Sequence, residues 1–127
     1  MLSIEERTLN FAARIFYLSK QLREVHHEYS LADQILRSGT SIGANYEEAR
    51  GAISKADFIA KTSISLKEAR ETRYWLKLFF QIKLIDNELY TDLLSNCNSI
   101  INILGKAIRT VQTQKSINQI EKNKVKN

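Results

Sequence analysis

The stretch "RSGTSIGANYEEARG", Arg37–Gly51, holds three of the four glycines of a 127-residue chain that has no proline. Glycines among hydroxyl residues occur in phosphate-binding loops, in turns, and in helices that closely approach a neighbour. A phosphate loop would follow a strand and lead into Gly-Lys-Ser/Thr, and this stretch has neither. Instead, an apolar register at three- and four-residue spacing runs through it, at Ile35, Gly39, Ile42, Tyr46, Ala49 and Ile53. The stretch therefore predicts one face of a helix.

The glycines inside this predicted helix require a compensating contact. Each costs about 1 kcal/mol relative to alanine in a helix interior. Gly39 and Gly43 are four residues apart, so we expect a neighbouring helix to lie unusually close to them. Gly51 precedes a capping serine and suits the left-handed position that ends a helix.

A polar line runs beside the apolar register and includes Ser41, Asn45 and Glu48. On the third predicted helix, Arg73 interrupts the apolar line. A buried arginine must be paired, and a buried amide must find hydrogen-bond partners. We therefore expect these residues, with the two glycines, to be buried polar and packing positions, and Arg73 to pair with Glu48 or Asn45.

The rest of the chain also has helical periodicity. Predicted starts are Ser3 with Glu6, Ser30 with Asp33, Ser54 with Asp57, and Asp86. The apolar lines are Ile4, Phe11, Ile15, Leu18, Leu22 and Val25 in the first helix; Ile59, Thr62, Leu66, Ala69, Leu76 and Phe80 in the third; and Tyr90, Leu93, Cys97, Ile100, Leu104, Ile108 and Val111 in the fourth. Because the connections are short, we predict an all-α, antiparallel up-down-up-down four-helix bundle over residues 1–114. Residues 115–127 carry four lysines against one glutamate and predict a basic, flexible tail.

Composition narrows the class of protein. The net charge is +5 and the isoelectric point about 9.4, which suits an anionic partner or serves solubility. One cysteine excludes an internal disulfide framework. The segment after Met1 lacks the pattern of a secretory leader, and no apolar run is long enough to cross a membrane. We expect a cytoplasmic protein with no membrane association.

No catalytic constellation stands out. Glu24 and His27 have the spacing of a di-iron motif, but such a site needs two motifs and two further glutamates, and the chain has only two histidines. Cys97 lies on an apolar line, where a small core residue is the ordinary interpretation. We expect a nonenzymatic protein with no catalytic residue, metal or cofactor.

A basic helix face is the better functional candidate. Lys67, Arg70, Tyr74 and Lys77 follow three- and four-residue spacing, so their side chains share one side of the third helix. Such a face can contact phosphates and stack a base. The alternative interpretation is an ordinary solvated surface. The lysine tail is a second candidate for nucleic-acid binding.

A second apolar line on the third helix includes Trp75 and Leu78, and the first helix has another at Leu9, Ala12 and Phe16. Either the bundle core is broad or copies of the chain pack together. Trp75 and Leu78 are the predicted interface residues.

Three motifs carry a family resemblance: "SIGANYEEA" (41–49), "SKADF" (54–58) and "EARETRYWL" (68–76). They resemble the bacterial four-helix-bundle proteins encoded within 23S rRNA intervening sequences, which are similar to the accessory protein of diversity-generating retroelements. The resemblance implies a four-helix bundle, a homopentamer, nucleic-acid binding and a reverse transcriptase or other nucleoprotein as partner. It implies no established catalytic activity.

Together these observations predict a small basic bundle that self-associates and binds RNA, DNA or a nucleoprotein partner. The alternative is a structural or protein-interaction oligomer with no nucleic-acid role.

Overall fold

The computed structural model describes residues 1–126. It has four helices: α1 (Ile4–Glu24), α2 (Tyr29–Arg50), α3 (Lys55–Gln81) and α4 (Asn87–Lys126). Each helix packs against the next, and α1 also packs against α4. This closes the all-α, antiparallel up-down-up-down bundle that the periodicity predicted. None of the helices in the described range is long and apolar enough to cross a bilayer.

Three of the four predicted helix starts are present. Ser3 and Glu6 form a reciprocal capping box on α1, Ser54 accepts a hydrogen bond from the backbone of Asp57, and Asp86 accepts one from the backbone of Leu89. Each satisfies a backbone N–H that has no partner inside its helix.

The predicted cap of α2 is wrong. This helix begins at Tyr29, one residue before Ser30, and its N-cap Glu28 makes no side-chain capping bond. Asp33 pairs with Arg23 of α1 instead. The start of α2 is therefore held by contacts with α1 rather than by a local cap.

Two helices end on left-handed residues that are not glycine. His27 follows α1 with φ 56° and Lys83 follows α3 with φ 64°, whereas Gly51, predicted to be left-handed, has φ −91°. Beyond His27, the Glu28 N–H reaches back to the Leu22 carbonyl at 2.9 Å, the pattern of a Schellman cap. These bends make α1–α2 and α3–α4 tight hairpins.

The core contains the predicted face of α4, the predicted face of α1 as far as Leu22, and part of the face predicted for α3. Val25, predicted on the α1 face, lies after the helix and is 62% exposed. Buried residues of α3 are Thr62, Ser65, Ala69, Thr72, Leu76 and Phe79. The predicted line shares Thr62, Ala69 and Leu76, but its other members Ile59, Leu66 and Phe80 lie at the margin or in solvent, as does Arg73, which interrupts the line. The error comes from counting small hydroxyl residues as surface residues.

Hydroxyl groups join α3 to α2. Ser65 Oγ donates to the Ile42 carbonyl at 2.6 Å, and Thr72 Oγ1 donates to Ser38 Oγ at 2.9 Å. Because these side chains are short and each has a hydrogen-bond partner on α2, they can be buried at little cost while bringing the two backbones together.

Glycines bring α2 close to α1. A Cβ added at Gly39 would lie 2.7 Å from Ile15 Cγ2, and one added at Gly43 would lie 3.0 Å from Thr8 Oγ1. Ordinary carbon contacts begin near 3.5 Å. The stretch from Arg37 to Arg50 is therefore one continuous helix, and its glycines make room for α1. Ile53, predicted on the same helix face, lies beyond the end of α2 and is 95% exposed.

α4 is much longer than its neighbours. It has 40 residues, against 21, 22 and 27 in the other helices, and runs on through the segment for which a flexible tail was predicted. From residue 112 to residue 125 all side chains but that of Asn118 are exposed. We call residues 112–126 the overhang; the domain boundary at residue 114 stays a prediction.

Candidate nucleic-acid interface

The predicted basic face lies on the side of α3 that points away from the bundle. Lys67, Arg70, Tyr74 and Lys77 are all exposed, and Tyr74 leaves 59% of its surface accessible. The Tyr74 ring packs edge-on against Trp75, with ring centroids 5.1 Å apart. We call these four residues the α3 face. It presents three cations and one aromatic surface.

The carboxylates beside this face are neutralised from α2. Glu68 and Glu71 both bind the guanidinium of Arg37, and Glu71 also accepts a hydrogen bond from the Trp75 indole at 3.1 Å. Arg37 thus lowers the negative charge that would otherwise offset the cations of α3. Its role was missed by the sequence analysis, since no local spacing links residues 31 and 34 positions apart.

The buried polar cluster predicted around Arg73 does not form. Arg73 donates to Asn98 Oδ1 of α4 at 3.1 Å, and Glu48 is exposed, so the predicted pairing is wrong. Asn45 and Ser41 are partly buried and bond carbonyls one turn earlier on their own helix. Arg73 therefore adds its charge to the α3–α4 side rather than neutralising α2.

The net charge is distributed unequally between the two helical hairpins. Residues 1–54, with α1 and α2, have six Lys and Arg against seven Asp and Glu. Residues 55–127, with α3 and α4, have thirteen against seven, and no carboxylate lies between Asp92 and Glu121. Since α3 and α4 are neighbours, this excess lies on one side of the bundle.

The cysteine and the two histidines lie far apart in the bundle. Cys97 is buried, its thiol lies 3.3 Å from the Ala69 carbonyl, and burial raises its pKa to about 12, although nearby Arg73 acts in the opposite direction. His26 and His27 are exposed at the α1–α2 turn. Over residues 1–126, no three His, Cys, Asp or Glu side chains are grouped so that they could hold a metal ion.

The predicted interface residues have partners within the chain. Trp75 and Leu78 are half-buried and pack on the core. Their role in assembly stays a prediction. Leu9 and Phe16, on the second line of α1, are exposed.

The part of the chain that matches a known protein family includes the residues of this candidate interface. The family model described as "23S rRNA-intervening sequence protein" matches residues 1–106, which include the α3 face and the Arg37 pairs. The chain belongs to this family. The match ends before the overhang begins.

A solved relative shares the bundle. It is a protein of unknown function from the S23 ribosomal protein family of Bacteroides thetaiotaomicron, 44% identical, with a TM-score of 0.82. The alignment covers 84% of this chain and 98% of that one. A comparison with curated proteins gives no match.

Proposed function

We propose that this member of the 23S rRNA-intervening sequence family is a nonenzymatic, cytoplasmic, self-associating protein that binds nucleic acid through the α3 face. The observation that carries the proposal is a line of three exposed cations and an exposed tyrosine whose flanking carboxylates are bound by Arg37. Cations bind phosphates by releasing counterions, and an aromatic ring can stack a base.

The recognition chemistry favours phosphate and exposed bases over sequence reading. A single tyrosine between cations suits single-stranded or looped RNA, whose bases are free to stack. Duplex contacts would use the cations alone. Self-association would repeat the face and let one long nucleic acid meet several copies.

The test is fluorescence anisotropy with a labelled structured RNA and a labelled DNA duplex at several salt concentrations. We expect the triple variant Lys67→Ala/Arg70→Ala/Lys77→Ala to weaken binding and to lower the log-log salt slope. The slope should fall by up to about 3 on a duplex if one copy is engaged, at roughly 0.9 per lost phosphate contact. Tyr74→Ala should weaken RNA binding and leave duplex binding nearly unchanged.

A matched control is Lys20→Ala/Lys55→Ala/Lys83→Asn, which removes the same charge from exposed positions off the face. It should bind more tightly than the triple face variant. Equal loss in both would mean that only net charge matters, and the proposal would fail. Absence of binding by the wild-type protein at low salt would favour the protein-interaction alternative.

Arg37 supplies a sharper test because it lies outside the face. Arg37→Gln leaves Lys67, Arg70 and Lys77 in place and frees Glu68 and Glu71 beside them. We expect weaker RNA binding with unchanged helical content by circular dichroism. Variants of the overhang lysines, Lys115→Ala/Lys122→Ala/Lys124→Ala, report the contribution of the second candidate.

A further inference from the structure

Two contacts align α3 with α4 along the outer side of the bundle. Arg73 of α3 donates to Asn98 Oδ1 of α4 at 3.1 Å. Further along α3, the ring of Phe80 stacks on the ring of Tyr90, with centroids 4.3 Å apart and planes 5° from parallel. The two antiparallel helices therefore meet in a fixed register, and the side chains beside these contacts lie along one seam.

The seam has a line of side chains on each helix. We call these residues the α3–α4 seam: Arg70, Arg73, Lys77 and Phe80 on α3, and Asn98, Asn102 and Arg109 on α4. Within each helix they are three, four or seven residues apart, so they share one side of that helix. Arg70 and Lys77 also belong to the α3 face. The seam therefore continues that face onto α4.

The cations of the seam are not neutralised within the chain. No ion pair within residues 1–126 involves the four of them, which are Arg70, Arg73, Lys77 and Arg109. Glu68 and Glu71 are held by Arg37 on the α2 side. Asp92 is held by Arg14 on the α1 side. These carboxylates are drawn to the two flanks of the hairpin, and the seam between the flanks keeps its positive charge.

An aromatic pair lies at the end of the seam next to the α3–α4 turn. Phe80 is 38% exposed although Tyr90 covers one face of its ring. Phe80 also borders an open cavity of about 520 Å³, whose other lining residues are Gln81, Lys83, Leu84, Ile85 and Asp86. This volume lies within the range of small-ligand sites, about 300–1,000 Å³. The turn therefore offers a planar ligand both a ring to stack on and space beside it.

The cavity suits a neutral planar group better than a phosphate. Lys83 and Asp86 bring one charge of each sign, so their charges cancel. Glu88, which is exposed near the same end of α4, further disfavours an anion there. The Gln81 amide can both donate and accept hydrogen bonds. A nucleobase has this chemistry, with a flat ring and polar edges, whereas the phosphates of the same strand need the cations of the seam.

We propose that an unpaired nucleic-acid strand lies along the α3–α4 seam, with its phosphates on the seam cations and one base stacked on Phe80. This inference rests on the proposed function and deepens it, because it names the kind of strand and extends the surface onto α4. From the level of Tyr90 to Arg109 the seam measures about 28 Å at the rise of an α-helix. Bases in a duplex are already paired and stacked, so a duplex can use the cations but not the ring.

Fluorescence anisotropy tests the seam with a labelled oligouridine of about 12 nucleotides, a length within the site sizes of single-strand-binding domains. Oligothymidine of the same length distinguishes an RNA strand from a DNA strand, and a DNA duplex reports on the cations alone. Phe80→Leu keeps an apolar side chain but removes the ring. We expect it to weaken binding of the unpaired strands about fivefold or more, as for one lost stacked base, and to leave duplex binding unchanged. Arg109→Gln should lower the log-log salt slope on an unpaired strand by about 0.7, the value for one phosphate contact.

Each variant has a matched control on α1. Phe16→Leu removes a ring that is 48% exposed and lies away from the seam. Lys20→Gln removes one exposed positive charge, as Arg109→Gln does. Phe16→Leu should bind all three probes as the wild type does, and Lys20→Gln should leave the salt slope unchanged. Circular dichroism should give the same helical content for all four variants.

Cross-linking gives a result that needs no variant. An oligouridine that carries 5-iodouridine, irradiated with the wild-type protein, should attach to Phe80 or to its stacked partner Tyr90, as identified by mass spectrometry of the peptide. Attachment at Tyr74 alone would overturn the seam while leaving binding by the α3 face intact. The same conclusion follows if Phe80→Leu and Arg109→Gln bind as the wild type does, or if the α1 controls lose as much. A wild-type protein that binds none of the probes at low salt would refute the proposed function itself.

Discussion

Gly39→Ala should destabilise the bundle although alanine is the better helix former. The substitution gains about 1 kcal/mol of helix propensity. The added Cβ, however, would lie 2.7 Å from Ile15 Cγ2 and 3.1 Å from two further atoms of that side chain. Ile15 is fully buried and cannot turn away without disturbing its neighbours. Overpacking of this kind costs roughly 1–3 kcal/mol.

The net expectation is a loss of about 1 kcal/mol, with a range from near zero to about 2. For a bundle of this size, 1 kcal/mol corresponds to roughly 3–6 °C in thermal midpoint. Urea denaturation followed by circular dichroism would give the free energy of unfolding directly. The urea slope should stay unchanged, since the substitution alters packing and not the surface exposed on unfolding.

Gly105→Ala is the control in the same protein. Its Cβ would meet only the end of the Arg109 side chain, at 3.2 Å, which is exposed and free to move. This variant should gain up to about 1 kcal/mol. Adding Ile15→Leu, which removes the methyl at 2.7 Å, should reduce the cost of Gly39→Ala. Stabilisation by Gly39→Ala in the wild-type background would show that the close approach of α1 and α2 is not what the glycine serves.

The remaining predictions concern single positions. Lys83→Gly should stabilise the bundle by about 1 kcal/mol, because the backbone φ of 64° at this position suits glycine. Lys77→Gly, on the exposed side of α3, should destabilise the bundle by a similar amount. Equal effects of the two substitutions in thermal melts would contradict this expectation. Thr62→Val should be neutral or stabilising, since Thr62 Oγ1 is buried without a hydrogen-bond partner. Thr72→Val should instead cost about 1 kcal/mol, because it removes the hydroxyl that bonds Ser38 of α2. Burial raises the pKa of the Cys97 thiol to about 12, against 9.0 for a free thiol. The contribution of this thiol to the free energy of unfolding should therefore be full below pH 9 and be lost as the pH rises toward 12. Cys97→Ala should remove that part of the pH dependence of unfolding.

The fold was predictable because its determinants are local. Periodicity gave four helices, and short connections gave their antiparallel order. In three of the caps the side chain bonds a backbone N–H three residues later, so sequence spacing alone identified these caps. The face of α4, and that of α1 as far as Leu22, were also correct, because large apolar residues mark them.

The register of α3 was only half predictable. A scale of polarity places Leu66 inside and Ser65 outside, but Ser65 is buried since its hydroxyl bonds the α2 backbone. Such a bond depends on how closely two helices approach, which the sequence of one helix does not contain. The glycines of α2 did indicate a close neighbour, yet did not say which helix.

The candidate site was likewise only partly predictable from the sequence. Lys67, Arg70, Tyr74 and Lys77 share a face by helical spacing, so sequence identified them together. The pairing of Arg37 with two carboxylates of α3 depends on tertiary alignment, and so did the choice of Asn98 as partner of Arg73. Long-range pairs of polar groups were where sequence reasoning failed.

The unequal charge of the two hairpins gives the protein an electric dipole across its short axis. In the field of a polyanion, a tumbling copy spends more time with its α3–α4 side forward than its net charge alone would imply. Because encounters with a polyanion are pre-oriented in this way, association should be faster than for a bundle of equal net charge whose cations are scattered. This advantage should vanish at high salt, which shortens the reach of the electric field. Exchanging acidic and basic residues between the hairpins at constant net charge would slow association while leaving the isoelectric point unchanged.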